Sequence, residues 1–265
     1  MQIFPTKMNW PDSSLPQQLL ELAIGTARAA SRAILKEYDQ NFTAKQKADG
    51  SPLTRADTKA HEVVFQSLSI SGWPILSEEG IHIPYEERKK CSYLWLVDPL
   101  DGTKEFLQRN GEFTVNIALI HRHEPVLGVI AVPVSGDVYY AAAGNGAYVQ
   151  RQGQTGRLPV GPPVNLSTPR LRVVTSRSHM DAETDCFIAS LREPLILSRG
   201  SSLKFMMVAE GLADVYPRFS PTMEWDTAAA HAIIRETGRN LYIYGEGGEV
   251  QYNKADLRNP PFICY

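Results

Sequence analysis

Residues 93–120, YLWLVDPLDGTKEFLQRNGEFTVNIALI, constrain the fold more than any other stretch of the chain. Tyr93, Leu94, Trp95, Leu96 and Val97 form a short apolar run of the length and composition that buried strands use. Two carboxylates three residues apart, Asp98 and Asp101, leave the end of that strand. Pro99 fixes φ between them, and Gly102 permits a backbone that a Cβ would resist. Thr103 stands where a helix or turn begins and a hydroxyl can cap it. Apolar character returns at Phe113, Val115, Ile117, Leu119 and Ile120, a second buried strand. The residues between the strands have two readings. One is a structural Asp-Gly turn with Asp98 as a capping residue. The other is a site for a hard cation, with anionic oxygens from Asp98 and Asp101 and a neutral one from the Leu100 carbonyl.

WPILSEEG at 73–80 repeats the arrangement: an apolar strand delivers Glu78 and Glu79 at its C-terminal end. Open sheets place ligands outside such strand ends. Two strand ends bearing acids therefore make a stronger case than either acid pair alone.

The remaining pattern is mixed. Leu15, Leu19, Leu22, Ala23, Ala30, Ile34 and Leu35 share a helical face over about 15–38. Residues 40–53 read as a mobile loop or hairpin, and 1–14 as a loose extension. Asp57 sits near the start of a second helix running to about Leu68, where a first-turn acid suits the helix dipole. The runs 126–133, 137–142 and 146–150 predict an antiparallel meander continuing the first sheet. Residues 151–168 are rich in Gly and Pro, poor in apolar residues, and mark a lobe boundary. This divides the chain into an N-terminal α+β lobe, 1–165, and a C-terminal α/β lobe, 166–265. In the second lobe, strands near 171–175, 195–198, 213–217, 240–244 and 261–265 alternate with helices at 181–191 and 203–211 and with one beginning at Asp226. Asp226 reads as the N-cap of that last helix. Gly200, Ser201 and Ser202 offer backbone N–H groups and hydroxyls to an anion, with Lys204 and Arg218 adding charge. His179 is either a polar loop residue or a ligand contact.

Length and composition bound the function. With 265 residues and 43% hydrophobic content the chain can bury a full core. A net charge of −2 argues against nucleic-acid binding, while a small anion bound through cations stays compatible with it. Cys91, Cys186 and Cys264 form no zinc or disulfide spacing, which points to a reducing compartment. No apolar run reaches the roughly 18 residues that suggest a membrane span. MQIFPTKMNWPDSS lacks the basic start and apolar centre of a signal peptide. The expectation is a soluble cytoplasmic protein.

DPLDGT at 98–103, SEE at 77–79 and WDTAA at 225–229 together resemble the inositol monophosphatase superfamily of Mg2+-dependent, lithium-sensitive phosphatases. SRSH at 176–179, GSSLKF at 200–205, AEGLADVYPRF at 209–219 and Lys104-Glu105-Phe106 after DGT resemble its bacterial CysQ-type 3'(2'),5'-bisphosphate nucleotidase branch. The resemblance covers nearly the whole chain. It implies the layered α-β-α-β-α sandwich of the superfamily, an α/β (α+β) fold with the site between the lobes. It also implies a metal set: Glu78, Asp98 and the Leu100 carbonyl for one Mg2+, and Asp98, Asp101 and Asp226 for a second. A third, weaker ion would lie near Glu78 and Asp57. Asp57 and Thr103 would position and deprotonate the attacking water, with Glu78 beside them, and Gly102 and Thr103 would bind phosphate oxygens. Ser201, Ser202, Lys204, Arg218 and His179 match nucleotide contacts, with Glu78, Leu100, Asp101 and Asp226 also facing substrate. The implied reaction is hydrolysis of adenosine 3',5'-bisphosphate to AMP and phosphate. 3'-Phosphoadenylyl sulfate is a second implied substrate, and sulfate assimilation the setting. Some such proteins lie peripherally on the inner face of the cytoplasmic membrane; this sequence shows no anchor. Two alternatives stand beside this reading: an inositol or sugar monophosphatase using the same metal core, and a non-catalytic protein sensing metal or nucleotide.

Overall fold

The computed structural model describes residues 15–40, 45–46, 52–177 and 181–265, with 45–46 described in backbone only. The extension 1–14, most of the 40–53 segment and His179 lie outside the described residues.

The first half comprises α1 (Leu15–Tyr38), a two-stranded hairpin of β1 (Lys45–Gln46) and β2 (Pro52–Leu53), α2 (Arg55–Leu68), β3 (Ile75–Ser77), a short α3 (Tyr85–Arg88), β4 (Tyr93–Asp101) and α4 (Thr103–Leu107). It continues with β5 (Thr114–His121), β6 (Glu124–Ala131), β7 (Val138–Ala142), β8 (Ala147–Arg151) and β9 (Gln154–Arg157). Strands β3 to β9 form one sheet in sequence order, with β3 parallel to β4 and every later neighbour antiparallel. The expected meander is therefore present, with one strand more than the sequence suggested. Residues 154–157, read as the start of the lobe boundary, form the edge strand β9. All four of its residues are exposed, so no apolar alternation marked it.

The second half comprises β10 (Arg172–Ser176), α5 (Ala182–Ser190), β11 (Leu195–Arg199), α6 (Leu203–Ala209), β12 (Tyr216–Arg218), α7 (Glu224–Arg235), β13 (Leu241–Ile243) and β14 (Phe262–Cys264). β10 and β11 pair in parallel. β14 lies between β12 and β13, antiparallel to both, and a single bridge from Val173 to Val215 links the two groups.

Period-two alternation builds the layers. In β5, Val115, Ile117 and Leu119 face the core shared with α1 and α2, while Ala118 and Ile120 face α6, α7 and the second sheet. Small residues let α1 and α2 approach closely: Ala23, Ala27 and Ala30 on one, Ala56 and Ala60 on the other, all fully buried. Across the second sheet, Phe187 of α5 packs with Val173, Val215, Phe219 and Ile263. The order helix, sheet, helix, sheet, helix matches the expected α-β-α-β-α sandwich.

Gly128 of β6 sets how closely α7 lies on the first sheet. A Cβ there would stand 2.9 Å from Ala232 Cβ and would run into the Ala229 carbonyl. Both neighbours belong to a packed helix, so neither can give way cheaply. Gly128→Ala is therefore expected to cost about 2–3 kcal/mol through overpacking. Thermal denaturation would read this as a Tm lower by roughly 5–10 °C.

Candidate active site

Two strand ends and one helix start bring the acids together. β3 and β4 pair in parallel with Ser77 opposite Val97, and the Glu78 N–H continues the pairing to the Val97 carbonyl at 3.1 Å. Glu78 and Asp98 thus follow a matched pair of strand residues. Asp98 shares the face of Leu94 and Leu96, the one directed to α7. Strand pairing runs on past Val97 with a register shift between Asp98 and Asp101. The turn is held by the Leu100 N–H donating to Asp98 Oδ1 at 3.0 Å. Gly102 follows with φ 93°, where a Cβ would also press on Glu105, Glu112 and Ser201 at 3.3 Å. Positive φ and crowding together account for glycine at this position.

Asp226 enters from α7. It is not the N-cap that the sequence suggested: the helix begins at Glu224, and Asp226 is its third residue. Its Oδ2 accepts the Met223 N–H at 2.8 Å, the role of the third residue in a capping box. Glu224, fully buried, accepts the backbone N–H groups of Asn253 (2.5 Å) and Lys254 (3.0 Å) and the Lys254 ammonium (2.5 Å). The start of α7 is therefore anchored on both sides.

Carboxylate oxygens of Glu78, Asp98 and Asp226 lie within 4.8 Å of one another. Burial pushes the Asp98 carboxyl well above the usual carboxylate range, and Glu78, Asp101 and Asp226 push it further. Burial, then the Asp101 charge, raises Asp226 to about 8. Acids gathered in this way favour a bound cation. Hard oxygen donors in a small cluster fit Mg2+, which takes few carboxylates and keeps waters.

Asp101 stands beside this cluster, and its surroundings differ from expectation. Its Oδ2 accepts from Ser201 Oγ (2.5 Å), Ser202 N (2.7 Å) and Ser202 Oγ (2.7 Å). The Ser202 N–H and the two hydroxyls, read as offered to an anionic ligand, are given to Asp101. Asn116 Nδ2 in turn donates to Ser202 Oγ at 2.7 Å, and Thr114 Oγ1 lies 2.7 Å from Ser201 Oγ. Sequence reading passed over Thr114 and Asn116. Their signal was two polar residues on one face of an otherwise apolar strand.

Asp57 combines both of its readings. As third residue of α2 it accepts the Thr54 N–H (2.7 Å) and hydroxyl (2.6 Å) on Oδ2. Its Oδ1 accepts the Thr103 hydroxyl at 3.2 Å. Thr103, the first residue of α4, thus joins the end of β4 to the start of α2.

A cavity of about 320 Å³ collects Glu78, Asp98, Leu100, Asp101, Gly102, Thr103, Ser201, Ser202, Lys204, Arg218 and Asp226. Lys204 Nζ donates to the Ser201 carbonyl at 2.6 Å and lies 5.5 Å from the Tyr216 ring centroid. Burial lowers its pKa to about 8, partly opposed by Asp101 and reinforced by Arg218. The Arg218 Nε–H is buried and meets no acceptor among the described residues.

The model of the inositol monophosphatase family matches residues 15–261. The chain belongs to the inositol monophosphatase family. A 3'(2'),5'-bisphosphate nucleotidase CysQ from Salmonella typhimurium (strain LT2) is 44% identical over 249 residues, covering 92% of this chain and 98% of that protein. The crystal structure of CysQ from Bacteroides thetaiotaomicron, a bacterial member of the family, is 44% identical. It superposes with a TM-score of 0.83 over 94% of this chain and 97% of that one. An IMPase/NADP phosphatase complexed with Mg2+ and phosphate shares the fold, with a TM-score of 0.76 at 19% identity over 94% and 91% of the two chains. No helix among the described residues is long and apolar enough to cross a membrane.

The raised acid pKa values make metal-free stability depend on pH. Asp226 titrates at about 8 in the folded chain and near 4 when unfolded. Its contribution is fully present below about pH 4 and is lost as pH rises through about 8. With EDTA, Tm is expected to fall from pH 5 to pH 8.5, and Mg2+ to restore it most at the higher pH. Asp226→Asn should flatten the metal-free profile and weaken the Mg2+ response. A metal-free wild-type Tm that does not fall over this range would contradict the reading.

Proposed function

We infer that this chain is a Mg2+-dependent 3'(2'),5'-bisphosphate nucleotidase that converts adenosine 3',5'-bisphosphate to AMP and phosphate. The observation that carries the reading is the pairing, in one cavity, of the buried acid cluster with Lys204 and with the Arg218 Nε–H, which has no partner among the described residues. The acids suit a cation-bound phosphate, and the two cationic side chains suit a second one. The 44% identity to a protein of that name supports the same assignment.

The roles follow from position. Glu78, Asp98, the Leu100 carbonyl, Asp101 and Asp226 would hold two Mg2+ ions, and Glu78 with Asp57 a third. When bound, Mg2+ supplies the positive charge that cancels phosphate–nucleophile repulsion and lowers the pKa of a bound water. The Thr103 hydroxyl donates its hydrogen bond to Asp57 Oδ1, which leaves the lone pairs of its oxygen as acceptors. That oxygen orients the attacking water and passes its proton toward Asp57. Gly102 and Thr103 hold the phosphate being cleaved. Lys204 and Arg218 hold the other phosphate, while Ser201 and Ser202 act chiefly by fixing Asp101. Residues 1–165 would then supply most of the metal ligands, and 166–265 the substrate cations and Asp226. 3'-Phosphoadenylyl sulfate, which carries the same 3'-phosphate, is included as a substrate. A cytoplasmic setting in sulfur metabolism is part of the same proposal and is supported by three unpaired thiols, Cys91, Cys186 and Cys264.

The deciding experiment compares phosphate release from adenosine 3',5'-bisphosphate and inositol 1-phosphate with Mg2+. Strong preference for the nucleotide is expected, and preference for inositol phosphate would overturn the substrate assignment. Lys204→Ala and Arg218→Ala should each raise KM for the bisphosphate on the order of 10- to 100-fold, the loss of a charge-assisted contact. Thr103→Ala should lower kcat by roughly 100-fold or more with little change in KM.

A further inference from the structure

Glu112 lies outside every role assigned above, yet it joins three pieces of the site. It is buried in the segment between α4 and β5. Its Oε2 accepts the Gly200 N–H at 2.8 Å. Its Oε1 accepts Arg177 Nη2 and Arg199 Nη1, both at 2.8 Å. Arg177 follows the end of β10, and Arg199 ends β11, where it is the register partner of Ser176. One carboxylate from the first sheet's side therefore grips the ends of both parallel strands and the turn after them.

That turn carries the donors to Asp101. Gly200 packs so tightly that a Cβ would lie 2.7 Å from Glu105 Cγ and 3.0 Å from the Glu112 carbonyl. Ser201 adopts φ 54°, unusual for a residue with a side chain. A strained residue persists when its surroundings over-determine it. Here the Glu112–Gly200 bond on one side and the Asp101 contacts on the other do so.

We propose that Glu112 is a positioning residue that fixes the Gly200–Ser202 turn, and through it the orientation of Asp101 toward the metal cluster. The inference rests on the nucleotidase reading for its kinetic consequence, but not for its metal-binding one. Residues that orient metal ligands typically govern affinity by 10–100-fold.

The test uses Glu112→Ala, Ser202→Ala and the double variant. Calorimetric Mg2+ titration of EDTA-stripped protein is read beside kcat/KM and Tm. Glu112→Ala is expected to weaken Mg2+ binding about tenfold or more and to lower kcat/KM by on the order of 10- to 100-fold. The double variant should be no more than about threefold worse than the weaker single, because both act through the same contact. Wild-type Mg2+ affinity in a folded Glu112→Ala protein, or penalties that multiply in the double variant, would overturn the proposal. If Glu112→Ala does not fold, Glu112→Gln decides. Its single carbonyl oxygen cannot serve both Gly200 and the arginines, so weakened Mg2+ binding is expected and unchanged binding refutes the role. A wild-type chain inactive on the bisphosphate would overturn the substrate assignment alone, and the Mg2+ titrations would still decide Glu112.

Discussion

Mutual repulsion among Glu78, Asp98 and Asp226 is the constraint on which the rest of the structure depends. Their oxygens lie within 4.8 Å of one another, and Asp98 is buried. Like charges in a low-dielectric site would separate if their carriers were mobile. They are not mobile. Glu78 and Asp98 extend a parallel strand pair whose preceding residues are fully packed. Asp226 stands in the first turn of a helix seated against a glycine of the first sheet and tied at its start through Glu224. The fold holds the charges in place, and the cost reappears as raised pKa values and as a demand for cations.

The same cavity also carries cationic side chains. Lys204 is buried with its pKa lowered, and Arg218 keeps a buried donor that meets no acceptor among the described residues. Each is costly in an isolated protein. In the proposed reading, an anion with two phosphates would relieve both costs, with one phosphate held at the acids through metal and the other at the cations. Beside the acid cluster, Asp101 is fastened by Ser201 and Ser202, whose turn is held in turn by the Glu112–Gly200 bond. The polar residues at this junction therefore form a chain of supports.

Much of this was legible in the sequence because local rules govern it. Apolar runs ending in acids located β3 and β4, and alternation located β5 to β8. Helical spacing placed α1 over Leu15–Tyr38. The exposed edge strand β9 was missed because it buries nothing. Asp226 was misplaced as a cap because an acid favours both the N-cap and the third position of a helix, and only hydrogen bonds distinguish them. The support given by Thr114, Asn116 and Glu112 was passed over for a different reason: their partners are 65–88 residues away, as with Asn116 to Ser202 and Glu112 to Arg177 and Gly200.

The sequence by itself determined which elements form and which donor chemistry stands at their ends, since both follow from residue type and spacing over a few turns of chain. Tertiary structure alone decided which donors meet. The parallel register of β3 and β4 made neighbours of Glu78 and Asp98. The seating of α7 added Asp226, and the contact of the Gly200–Ser202 turn with β5 committed two serines to Asp101. Those pairings depend on packing between segments remote in sequence, and no local periodicity records them.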